Sequence, residues 1–415
     1  MKFDHNQMLA RYADLVIQIG ANIQPGQRLL LGAPIETAPL ARLITASAYR
    51  AGARFVDVVW QDDQIELARF NNAPRDSFEE YQTWYTDLSF EYAQRGDAFI
   101  DIYANDPDLL AAQDPELVSI ARRTSARYNQ PINDLLMRNA APWSIVSAPI
   151  PSWAAKVFPA HSPEEQVARL WGLIFSVCRL DHDDPIGAWD THIRRLEAWA
   201  SYLNGRRYDA LHYRAPGTDL TIGLPQGHVW KAARDTAASG LAFMPNLPTE
   251  EVFTMPHMAR VDGVVSATMP LNLSSTLVEN LKVTFENGLV VNVSATAGEE
   301  HMRNLLATDE GASRLGEVAL VPHSSPISQS GVLFYNTLFD ENAASHIALG
   351  KAYPYTLEGG NAMSNEQLAA AGGNDSLTHV DFMIGSSKMN VDGIRADGTV
   401  EPVMRSGEWA FDTAN

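Results

Sequence analysis

Cysteine is almost missing: among 415 residues only Cys178 occurs, inside the apolar run LIFSVCRL. No disulfide framework and no cysteine-ligated metal can be built from it, and it reads as a small buried apolar side chain. Basic residues are also scarce. Lysine plus arginine number 31 against 50 for aspartate plus glutamate, a net charge of −19. With a pI near 4.9, this balance argues against nucleic acid or an anionic membrane as a main partner. No run approaches the ~18 apolar residues of a membrane-spanning helix. The opening MKFDHNQMLARYADLV carries acids and amides where a secretory signal needs an apolar core, so the expected location is the cytoplasm. No G-x-G-x-x-G or G-x-x-x-x-G-K-[ST] follows a strand-like run, which leaves a nucleotide fold unsupported. G-x-S-x-G and H-E-x-x-H are absent as well, which disfavours a serine hydrolase and excludes a helical zincin.

What is present divides into two textures. The length suits two or three domains at ~100–200 residues each, and the change of texture marks two. In the first 150 residues, apolar residues at helical spacing (Met8, Tyr12, Leu15, Val16, Ile19) alternate with short apolar runs: RLLLGA (28–33), FVDVVW (55–60), AFIDIYA (98–104) and WSIVSAP (143–149). Strands alternating with helices predict a largely parallel sheet wrapped by helices. Asp57 and Asp101 lie inside strand-like runs and read as strand-edge acids. Pro163, Glu164 and Glu165 suit the first turn of a helix over 163–180, DHDDPIG (181–187) reads as a connector, and THIRRLEAWASYLNG reads as another helix. Beyond about residue 208, short alternating segments are punctuated by glycine and asparagine. Glu286-Asn287-Gly288 between KVTF and LVVNV is a hairpin signal. The expected fold is therefore α/β: an N-terminal α/β domain (1–190) with a largely parallel sheet, and a C-terminal β-rich α+β catalytic domain (191–415).

Polar intrusions in the second half carry the chemistry. THVDFMIGS (378–386) is a strand by pattern, and His379 and Asp381, two apart, share one face. An imidazole and a carboxylate so placed can ligate one cation, although an H-x-D pair is short enough to arise by chance. Glu317 opens the apolar strand LGEVALV; a carboxylate there must be solvated, paired or metal-bound. In PTEEVFTMP (248–256), Glu250 and Glu251 would point to opposite strand faces, so at most one faces a site. FDENAASHIALGKAYPY (339–355) reads as a helical turn capped by Asp340 or Asn342, close-packed through Ala343, Ala344 and Ala348, and ended by Gly350. Glu341 and His346 are its reactive groups, and Tyr353 follows beside Pro354. Each feature has a bland alternative, a solvent-facing acid or a satisfied core histidine. Together Glu251, Glu317, His346, His379 and Asp381 supply the ligand chemistry of a two-cation hydrolytic site.

NLPTEEVFTMP, FDENAASHIALGKAYPY with LEGGNAM, and GGNDSLTHVDFMIGSSKMNVDGI with DGTVEPVMRSGEWA resemble the M29 metallopeptidases, the aminopeptidase T and aminopeptidase S family. PEEQVARLWGLIFSVCRLD and HIRRLEAWASYLN also fit. The resemblance covers the whole chain and is strongest over 240–411. It implies a dimeric aminopeptidase acting on peptides with a free N-terminus, with two divalent cations per chain (zinc, cobalt, manganese or magnesium). It places the metal ligands on Glu251, Glu317, His346, His379 and Asp381, with Glu250 as the alternative to Glu251. Glu341 is then general base or a further ligand, and Tyr353 a donor to the oxyanion. Two rivals remain at this point: another dinuclear hydrolase, either an amidohydrolase or a phosphoesterase, and a non-catalytic protein stabilised by bound metal. The site motifs hold one lysine, Lys351, and no arginine, which favours a peptide or amide over a phosphate ester.

Overall fold

The structure, a computed structural model, describes residues 4–273 and 276–411. The chain forms two compact units. The division falls after His192, and Arg234–Pro248 belongs with the first unit.

The first unit is built on four parallel strands in the order Phe55–Gln61, Arg28–Pro34, Ala98–Ile102, Trp143–Val146. These are the four apolar runs of the sequence. Arg28–Pro34 is buried from Leu29 to Pro34, as a strand with neighbours on both sides requires. The opening helix, His5–Leu15, is fixed by a reciprocal cap between Asp4 and Gln7 and buries Met8, Leu9, Tyr12, Ala13 and Leu15. Pro163–Val177 begins with the same device, Ser162 against Glu165. The expected connector 181–187 is shorter than its composition suggests. Pro185 opens the helix Pro185–Arg206, because a proline in the first turn loses no intrahelical hydrogen bond.

The second unit holds two large antiparallel sheets beside a two-stranded one, Leu271–Leu273 with Thr276–Val278. One has eight strands, in the order Leu289–Ser294, Lys282–Glu286, Val261–Ser266, Thr218–Gly223, Ala210–Ala215, Asn390–Ile394, Val400–Arg405, Glu408–Trp409. Its first hairpin turns at Asn287 and Gly288, both at positive φ (51° and 80°), as the sequence signal predicts. The other has five, in the order His379–Met383, His346–Gly350, Leu315–Leu320, Val252–Thr254, Lys231–Ala232. The α/β first half and β-rich second half agree with the expected fold class.

One local expectation is corrected. The segment 339–350 is helical only at its start: a helix at Thr337–Asp340, capped by Asn336, runs into a turn at Glu341–Ala343. His346–Gly350 is instead a fully buried strand paired on both sides. Its alanines suit a helix locally, but tertiary pairing of HIALG overrides that preference. Asp340 stands at the N-cap position of the Glu341–Ala343 turn but its side chain makes no capping bond there, and Asn342 lies inside that turn. The Asp340 carboxylate accepts the backbone N–H groups of Phe334 (2.8 Å) and Asn336 (3.0 Å).

Candidate metal centre

One face of the five-stranded sheet gathers the ionisable groups. Ala348 pairs with Glu317 on one side and Asp381 on the other, and Ala319 pairs with both His346 and Phe253. Directly paired residues point to the same face. His346 and Ala348 therefore share that face with Glu317, Asp381 and, two residues before Asp381, His379. The two alanines leave room for the long side chains to meet above them. An irregularity between Leu315 and Glu317 re-aims the glutamate. Gly350, opposite His379, is at φ 106°, and a Cβ there would lie 2.1 Å from the Thr378 carbonyl. Only glycine makes that turn.

Glu251 enters from just before the short strand Val252–Thr254 rather than from within it. Its Oε2 lies 3.1 Å from His346 Nε2, and Glu317 Oε1 lies 3.5 Å from the same nitrogen. Glu317 Oε2 is 3.7 Å from His379 Nε2, which is 3.5 Å from Asp381 Oδ1. Two ligand-like groups result, Glu251–Glu317–His346 and Glu317–His379–Asp381, with Glu317 common to both. Glu250 is also buried, and its N–H is bound by Asn342 Oδ1 at 2.7 Å. Glu341 is buried close by and belongs to neither group of three. Tyr353 sets its ring 5.1 Å from that of His379, tilted by 58°, and is backed by Phe253 and Tyr355.

The donor set fits divalent cations on its own geometry. His346 Nδ1 contacts the Ala344 carbonyl (3.1 Å) and His379 Nδ1 the Lys351 carbonyl (2.7 Å). Both contacts require the proton on Nδ1, so in the neutral rings both Nε2 lone pairs point at carboxylates. Lone pair against lone pair is repulsive unless a cation or extra protons lie between. Glu251 Oε2 is fully buried and faces His346 Nε2 at 3.1 Å; while that ring is neutral the oxygen accepts no hydrogen bond and is an acceptor of the kind a cation satisfies.

Without metal, protons must compensate the charge, and the titration shifts follow. Burial pushes the Glu317 carboxyl up to about 7; His346 pulls it down and Asp381 pushes it further up. Burial, then the charges of Glu251 and Asp381, hold Glu341 well above the carboxylate range. His379 is raised to about 9: burial opposes this, but Asp381 and Glu317 outweigh it. His346 rises for the same reason beside Glu251 and Glu317. Asp381 stays below its ordinary value although burial opposes it, because His379 favours the anion. Burial, then the surrounding carboxylates, raises Tyr353 and keeps its hydroxyl a donor.

Two residues of this neighbourhood carry no functional reading in the sequence, where Asn342 is only a candidate cap and Asn374 is not singled out. Asn342 is fully covered, and its amide donates to the Leu338 carbonyl at 3.0 Å while contacting Glu341 Oε1 at 3.4 Å. The Asn374 amide donates to the carbonyls of Gly311 (2.8 Å) and Gly350 (2.6 Å), holding the turn that presents Lys351 to His379. A buried asparagine has no periodic signature, and both sit in segments whose composition reads as loop or cap. A separate cavity of about 340 Å³, bounded in part by Val321, His323, Ile327, Ala344 and Met389, is lined by none of the five ligand candidates.

Three carboxylates, one of them buried and shared, and two imidazoles are the donor set of a hydrolytic metalloprotein. The chain belongs to the thermophilic metalloprotease family M29, whose sequence profile matches residues 5–409. It is 48% identical over 406 residues to aminopeptidase 2 of Geobacillus stearothermophilus, covering 98% of both chains. It is 45% identical to aminopeptidase T of Thermus thermophilus, covering 97% of this chain and 98% of that one. The solved structure of wild-type AmpT from Thermus thermophilus superposes with a TM-score of 0.91 at 44% identity, over 98% of this chain and 100% of that one.

Proposed function

We propose that this chain, a metalloaminopeptidase by family and by its full-length relatives, works through two divalent cations that Glu251, Glu317, His346, His379 and Asp381 would hold, with Glu317 common to both groups of ligand atoms. The observation that carries this is the sharing of Glu317 between the two groups of ligand atoms. When bound, such cations supply Lewis-acid polarisation of the scissile carbonyl and lower the pKa of a water toward ~7. The protein's own groups do the rest. Glu341, buried close by and acted on by the charges of Glu251 and Asp381, accepts the proton of the attacking water and passes it to the leaving amine. Tyr353 keeps its proton and donates a hydrogen bond to the tetrahedral oxyanion. The acidic surroundings favour the cationic N-terminus of a peptide, which directs cleavage to its first residue. Zinc, cobalt, manganese and magnesium all suit a donor set of mixed oxygen and nitrogen. The proposal includes a cytoplasmic homodimer, which light scattering and cell fractionation test.

The test is hydrolysis of free and N-acetylated dipeptides by metal-stripped protein with each cation restored in turn. Chelation should abolish hydrolysis, one or more cations should restore it, and the acetylated substrates should resist cleavage. Full activity after verified metal removal would overturn the proposal, as would equal cleavage of the acetylated substrates.

A further inference from the structure

The buried carboxamide of Asn342 joins two parts of the centre that lie far apart in sequence. Its Oδ1 accepts the N–H of Glu250 at 2.7 Å, immediately before Glu251. Its Nδ2 donates to the Leu338 carbonyl at 3.0 Å and contacts Glu341 Oε1 at 3.4 Å. Its own carbonyl accepts the Ser325 hydroxyl at 2.8 Å, so the backbone that carries the amide is itself held. The side chain is 0% exposed, and water cannot replace these partners. Leaving a buried N–H or carboxylate without its partner is costly, so the loop and the turn are held in one arrangement while the amide is present. Hydrolysis needs that arrangement: displacing a reacting group by ~1 Å can cost ~10²-fold in rate.

We propose that Asn342 is a positioning residue, whose carboxamide sets Glu251 and Glu341 relative to each other. The proposal rests on Glu251 as a metal ligand and Glu341 as the base. Its two halves separate by substitution. Asn342→Asp keeps an oxygen to accept from the Glu250 N–H but loses both donors, and sets a second carboxylate beside Glu341. Asn342→Ala removes both halves.

The experiment titrates zinc or cobalt into metal-free protein by calorimetry and measures kcat and KM on an aminoacyl amide at saturating metal. Asn342→Asp should bind metal within threefold of the wild type, with kcat lowered ~10–100-fold and KM nearly unchanged. Asn342→Ala should lose ~10-fold or more in metal affinity as well. Because Asn342 acts on turnover through Glu341, Glu341→Gln with Asn342→Asp should be little slower than Glu341→Gln alone. Thermal melts of the metal-free variants check folding, and if the alanine variant does not fold, the isosteric aspartate carries the test. Wild-type kcat in Asn342→Asp would overturn the proposal, and so would multiplied losses in the double variant. Full turnover in Glu341→Gln alone would instead refute Glu341 as the base, leaving the Asn342→Ala metal titration to decide the link to Glu251.

Discussion

Asp101 in the first unit and Glu317 in the second are both acids inside apolar strands, and they differ in company. Burial alone raises Asp101 to about 6. It occupies space left by Gly32, where a Cβ would come within 2.3 Å of Asp101 Oδ1. Glu317 is raised to about 7, but two imidazoles and two further carboxylates act on its charge. A solitary strand acid is tolerated at some cost in stability, whereas a cluster that shares one carboxylate can hold a cation. The sheets explain the contrast. The parallel sheet has short apolar strands whose acids stand apart, while the five-stranded antiparallel sheet brings four ionisable side chains together above two alanines, and Glu251 joins them from the preceding loop.

The strongest way to break this comparison is to remove a proposed ligand pair. His379→Ala and Asp381→Ala should each abolish most activity with the fold retained by circular dichroism. The double variant should be little worse than either, since residues that act as a unit are not additive. Multiplied losses would separate their roles. Next in size is Glu341→Gln. It should keep both cations by metal analysis while losing about 10²–10⁴-fold in kcat. Metal content near one cation would make Glu341 a ligand and move the search for the base to Glu250. Tyr353→Phe should keep the metals and lower kcat about 10²-fold, with a smaller change in KM, as expected for a donor that acts mainly in the transition state.

The smallest effect belongs to the solitary acid. Asp101→Asn should leave turnover within about twofold. Its carboxyl rises from an ordinary 3.8 to about 6 in the fold, so the folded protein holds this proton more tightly. The stability linked to that proton is present below pH 3.8 and is lost as pH rises through about 6. At pH 8 the asparagine should therefore stabilise the protein by about 1–2 kcal/mol, below the full linkage value because Asp101 keeps an edge to solvent. The gain should disappear near pH 4. Thermal melts at the two pH values measure it, and an equal gain at both would point to packing instead of charge.

By itself the sequence determined the strand runs of the first unit, the Asn287-Gly288 hairpin and the same-face placement of His379 and Asp381, because apolar period and turn chemistry are local properties. Its motifs also carried the family resemblance. Tertiary structure decided the rest. His346–Gly350 became a strand because two neighbours pair with it, against the local helical preference of its alanines. Glu251 lies beside His346 because of how its loop enters the sheet, which alternation along PTEEVF cannot express. Asn342 and Asn374 gained their partners only when segments distant in sequence were packed together. Hydrogen bonds of that kind depend on three-dimensional proximity and leave no periodic trace along the chain.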